Sequence, residues 1–133
     1  MKSYLKNLLA FPAFDGGVFH FGPDVVESLF REESPGISLG EMATTVTNAF
    51  DHFVQQGRFP DQVAFRFGER SLLVQAQPLH DAAKDSAART GEKGAFLDNL
   101  FLTICVKSGE PIAPLLREGR NVLIEASKEA LAS

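Results

Sequence analysis

The 133-residue chain has no tryptophan, one tyrosine and a single cysteine, Cys105. A lone thiol excludes an intrachain disulfide and any structural zinc site built on several cysteines. No run approaches the roughly 20 apolar residues that cross a bilayer. The opening stretch, broken by Lys6 and Asn7 and closed by Pro12, lacks the unbroken apolar core of a secretory leader. The cytoplasm is therefore the expected compartment, with which the sparse cysteine agrees. Excess positive charge is missing too: 13 Lys and Arg against 17 Asp and Glu give a net charge of −4. Neither nucleic acid nor an anionic membrane is an expected partner, since both are gripped by clustered cations.

Catalytic patterns are equally scarce. His20, His52 and His80 fall in three separate segments without the close-spaced pair typical of zinc ligands, so no metal is expected. Cys105 lies in the most apolar segment and reads as a small buried hydrophobe rather than a reactive thiol. No serine sits in a nucleophile-elbow pattern. Asp15-Gly16-Gly17 and Gly91 to Gly94 lack the spacing of a phosphate-binding loop, so no cofactor is expected. Glu32-Glu33 beside Ser-Pro-Gly reads as a solvated loop. Lys84, Arg89 and Lys93 alternate with Asp81, Asp85 and Glu92, which also reads as solvated surface. The chain is expected not to be an enzyme.

What is present is an ordinary folding composition, 44% hydrophobic and 23% charged, read as a single domain over 1–133. Residues 2–10 predict a short helix with Leu5, Leu8 and Leu9 on one side, too short to stand without docking. Gly17 to Phe21 and Val25 to Phe30 predict a hairpin about Gly22-Pro23-Asp24. A short helix over 24–32 is the rival reading, and the β-branched pair Val25-Val26 favours strand. Ser38 and Glu41 fit a capping box, followed by Leu39, Met42, Ala43, Val46, Ala49, Phe50, Phe53 and Val54 at helical spacing until Gly57 and Pro60. Gln62–Phe67 alternates, with Val63, Phe65 and Phe67 facing a core. Gly68-Glu69 turns it, and Arg70–Gln77 returns. Residues 79–95 lack large apolar side chains after Leu79 and read either as a mobile excursion or as one or two loosely docked helical turns. Leu100–Val106 is apolar on both alternating sets and is expected in the middle of a sheet. Pro111 to Leu131 predicts a last helix, with Gly119 as a possible kink.

The order helix-strand-strand-helix-strand-strand-strand-helix predicts an α+β fold, a single five-stranded antiparallel sheet flanked by helices with the last strand central. On the hairpin Gly17–Phe30, the long helix Ser38–Gly57, and the succession Val63–Gln77, Leu100–Val106 and terminal helix, the chain resembles the roadblock / dynein light chain family, a branch of the profilin- and longin-like folds. The resemblance implies a homodimer or heterodimer in which the central helices pack together and the strand after that helix extends the sheet across two copies. It implies a scaffolding or regulatory role, commonly at small Ras-like GTPases or dynein-type motors. Bacterial members resemble regulators of a gliding-motility GTPase.

The outer face of the long helix carries Thr44, Thr45, Thr47, Asn48, Asp51 and Gln55, short and nearly uncharged where a solvated face usually carries Lys and Glu. Thr44, Thr47, Asn48, Asp51 and Gln55 are the expected self-contact, with the edge of Gln62–Phe67 beside them. Phe59 and Phe67 are further candidates for a contact surface. Two other function classes fit the same composition. One is a small acidic dimeric secretion-type chaperone for an unfolded effector segment. The other is a small-ligand sensor, which requires an enclosed cavity on the order of 300 Å³ or more.

Overall fold

The computed structural model describes residues 3–31, 38–58, 60–67, 70–78 and 99–132. The excursion at 79–95, with His80, the Glu32-Glu33 pair, the Gly68-Glu69 turn and Phe59 lie outside the described residues, as do the side chains of Phe67 and Leu131. A short 3₁₀ helix, Lys6–Ala10, leads into β1 (Phe14–Phe21) and β2 (Asp24–Phe30). Helix α1 (Leu39–Gln55) follows, then β3 (Gln62–Phe67), β4 (Arg70–Pro78), β5 (Asn99–Val106) and helix α2 (Ala113–Ala132). The sheet runs β2-β1-β5-β4-β3 with every neighbour antiparallel. The expected fold class and element order hold, and the last strand in sequence is the middle one in space.

Local chemistry explains most boundaries. The first helix is one tight turn shorter than expected, and it survives because Leu5 and Leu8 are fully buried. Ser38 Oγ accepts the Glu41 amide at 3.4 Å and starts α1. Gly57, at φ +76°, ends it: its amide reaches the Val54 carbonyl at 2.9 Å and the Arg58 amide reaches Phe53 at 2.9 Å. Residues 24–30 form strand rather than the rival helix. Strand β1 starts three residues before the expected Gly17, because Phe14 is buried against the core.

Alternation along β5 splits the core in two. Leu100, Leu102 and Ile104 pack with Leu5, Leu8, Leu115 and Leu123 under α2 and the 3₁₀ helix. Phe101 and Cys105 point the other way, toward α1, where Phe101 meets Val46, Phe50 and Val74, and Cys105 meets Met42 and Leu72. That two-sided covering is the reason the strand reads as continuously apolar. Gly119 does not interrupt α2. A side chain there would lie 2.4 Å from Gln75 Oε1 and 3.0 Å from Leu102 Cδ2, so this glycine lets the helix lie close on the sheet.

Candidate interaction face

The outer surface of α1 and the backbone edge of β3 are the candidate contact surfaces. Val46 and Phe50 of α1 join Val74, Ala76 and Phe101 of the sheet in one buried cluster, and Val54 of α1 and Val63 and Phe65 of β3 pack against it, while the backbone of α1 comes nearest β2 and β1. Phe50 is held edge-on to Phe101 with ring centroids 5.0 Å apart. On the outside of the helix, Thr44, Asn48 and Gln55 are exposed and Asp51 is half-buried, its carboxylate accepting from Gln55 Nε2 at 3.3 Å. Thr47 departs from the expected set. It is 4% exposed, and its hydroxyl donates to the Ala43 carbonyl at 2.8 Å. The turn of the helix carries position 47 beside Ala43 and Phe50 on the inward side, so its polarity is satisfied internally and it cannot contribute to an outer contact.

The exposed positions Glu41, Thr45, Asn48, His52 and Gln55 form one row along α1, at spacings of four, three, four and three. The row runs the length of the helix with Asn48 at its middle.

The free groups of β3 follow from its pairing. The Ala76 amide donates to the Asp61 carbonyl at 2.9 Å, so 61 and 76 form a hydrogen-bonded pair of the antiparallel ladder. Such pairs alternate along the register Gln62↔Gln75 to Phe67↔Arg70. Val63 and Phe65 therefore bond inward to β4, while the amides and carbonyls of Gln62, Ala64 and Arg66 face outward. No described residue pairs with them. The register is unbroken over all six residues.

The opposite edge is different. In β2 the register steps from Glu27↔Phe19 to Val25↔His20, which leaves Val26 as an extra residue in a bulge. Bulges twist an edge away from straight pairing. The Glu27 carboxylate accepts from Ser3 Oγ at 2.5 Å and from the Tyr4 and Leu5 amides at 2.7 and 3.4 Å. Arg31, just past β2, donates to the carbonyls of Phe14 at 2.5 Å, Phe11 at 2.9 Å and Leu9. Both residues tie the N-terminal turn to β2, and neither was singled out by the sequence reading, since an acid and an arginine at the ends of an amphipathic strand look like solvated termini.

Among the described residues, one histidine is deeply buried. His20 is buried, stacked on Phe101 at 5.1 Å, and its Nδ1–H donates to the Gly22 carbonyl at 2.8 Å. Its Nε2 accepts from the Thr103 hydroxyl at 2.9 Å. Burial pushes its pKa down to about 4, partly opposed by the Gly22 hydrogen bond, so the ring is neutral near pH 7. Among the described residues no three His, Cys, Asp or Glu groups gather to hold a metal ion, and Cys105 is buried and in no disulfide. A pocket of about 380 Å³ lined by Ala10, Pro12, Asp15, Arg31, Lys107 and Glu110 opens to solvent among charged groups, unlike the enclosed chamber of a sensor. No described helix is long and apolar enough to cross a membrane.

The architecture is shared with solved proteins. The structure titled "MglB with tetrameric arrangement" superimposes with a TM-score of 0.60 at 13% identity, covering 97% of this chain and 82% of that one. The gliding protein MglB from Thermus thermophilus gives a TM-score of 0.60 at 13% identity, covering 97% and 83%. At that identity the likeness is one of fold, and the fold is roadblock-like. No family model and no curated protein matches the sequence.

Proposed function

We propose that the chain is a non-enzymatic regulatory scaffold of roadblock type that pairs with a second copy and presents the composite surface to a protein partner, a small Ras-like GTPase. The observation that carries this reading is the unpaired, regular edge of β3; the outer face of α1, with exposed Thr44, Thr45, Asn48 and Gln55, is the second candidate contact. Two copies joined β3 to β3 about a twofold axis would continue the sheet, and the outer face of α1 at Asn48 is proposed as the second part of the contact. The roadblock resemblance implies the GTPase-facing role, and the tetrameric arrangement named for one MglB structure of the same fold supports assembly through exposed faces.

Ala64→Pro tests the pairing directly. The Ala64 amide faces outward, so proline removes no bond of the β3–β4 ladder but blocks a strand from joining the edge. Sedimentation at micromolar concentration should show wild type as a dimer and A64P as a folded monomer. Asn48→Arg should weaken association at the helix row without unfolding the chain. A wild-type chain that sediments as a strict monomer removes the pairing reading. Co-purification with a disordered client instead of a GTPase would favour the chaperone class.

A further inference from the structure

Strand β3 has two kinds of support inside the chain. Toward α1 it rests on apolar contacts of Val63 and Phe65, which press on the strand without fixing it along its length. Toward α2 it is held by directional bonds. Arg120 Nη2 donates to the Asp61 carbonyl at 2.6 Å and Nη1 to the Ala76 carbonyl at 2.6 Å, with Gln77 Oε1 at 3.5 Å. The Asp61 carbonyl also receives the Ala76 amide, so the guanidinium clasps the first rung of the β3–β4 ladder. One turn earlier on the helix, the Leu116 carbonyl accepts Gln75 Nε2 at 2.9 Å, and the same Nε2 reaches Gln62 Oε1, on the first residue of β3, at 3.4 Å. Gly119 sits between these two attachments and permits the close approach both require.

We propose that Arg120 is the positioning residue through which α2 sets the β3 edge in pairing geometry, and so controls association with a second copy. This rests on the pairing reading above. The guanidinium is suited to the task because its planar fork meets two carbonyls at once, whereas a lysine ammonium is a single point donor on a flexible stem. Desolvation lowers the Arg120 pKa, opposed by the Asp61 carboxylate, yet a guanidinium stays charged in proteins. Charge-assisted bonds of this kind hold a carbonyl more firmly than neutral ones. Strand β2 lies at the opposite end of the sheet from β3, so the effect should be confined to one side.

The test compares wild type, Arg120→Met and Arg120→Lys by amide hydrogen exchange and by sedimentation. In R120M the amides of Val63 and Ala76 should exchange on the order of tenfold faster while those of β1 are unchanged, and the dimer dissociation constant should rise on the order of tenfold. R120K should fall between the two and carries the comparison if R120M does not fold. Equal acceleration in β1 and β3 would overturn the proposal, as would faster β3 exchange with an unmoved dissociation constant. A monomeric wild type removes the pairing reading and the control with it. A dimeric wild type with an unmoved R120M removes the role of Arg120 alone.

Discussion

Strands β2 and β3 both end the same sheet, and they end it in opposite ways. Strand β2 is interrupted by the bulge at Val26 and tied to the N-terminal turn through Glu27 and Arg31. It also carries two exposed valines, Val25 at 39% and Val26 at 51%. By hydropathy alone β2 would be the stickier edge. Strand β3 has a straight ladder, and its outward amides at Gln62, Ala64 and Arg66 are in register to receive a partner. The contrast teaches that edge pairing depends on backbone geometry before side-chain greasiness: a bulge disables an apolar edge, and regular spacing enables a polar one.

The largest test of this contrast removes the anchor under the β3 side. Phe50 is fully buried between Phe101 and the cluster that includes Val63 and Phe65. Phe50→Ala should cost about 3–5 kcal/mol in urea unfolding, the range for emptying a core aromatic site. Exchange at β3 should accelerate more than at β2. Equal loosening at both edges would show that the two sides of the sheet are not independently supported.

The next effect belongs to the β1–β2 side. His20 faces Val25 in the register and titrates near 4 when folded, against 6.5 for an unperturbed histidine. Between those values the unfolded chain binds the extra proton, so stability rises with pH through the window and is lost as pH falls from about 6.5 toward 4. The full loss is ~3 kcal/mol, and none further comes from this group below pH 4. Urea midpoints across pH 4–7 should show that slope in wild type, and His20→Gln should flatten it. A slope unchanged in H20Q would assign the acid sensitivity elsewhere.

The smallest effect sharpens the comparison. Glu27→Ala removes the acceptor for Ser3 and for the Tyr4 and Leu5 amides and should destabilise by ~1 kcal/mol, a partly exposed set of charge-assisted bonds. Limited proteolysis should quicken near residues 3–10, while the sedimentation of the dimer stays the same. Weakened association in E27A would mean that β2, not β3, is the pairing edge.

Much of the frame was legible because its signals are short-range. The Ser38 cap, the three-and-four spacing to Val54 and the left-handed Gly57 define α1 within one residue at each end. The doubly apolar β5 announced its own central position. The candidate face was legible only in part. Helical periodicity separates inner from outer positions coarsely, and Thr47 lies at the boundary, where 100° per residue leaves the side undecided until the helix docks. A threonine there satisfies itself on the preceding turn and so reads as surface in the sequence. Gly119 offered a signal that admits two meanings, a bend or a close approach, and only the presence of Gln75 and Leu102 beneath it selects the second.

The sequence by itself determined the elements, their order and the strand that lies at the centre, because hydrophobic periodicity, caps and turn residues act over a few residues. The tertiary structure alone decided which edge is straight and which is bulged, that Arg120 reaches from α2 to two carbonyls 44 and 59 residues away in the chain, and that His20 is buried neutral against Thr103. Those features arise from groups brought together only when the sheet closes, and no local pattern encodes the distance between them.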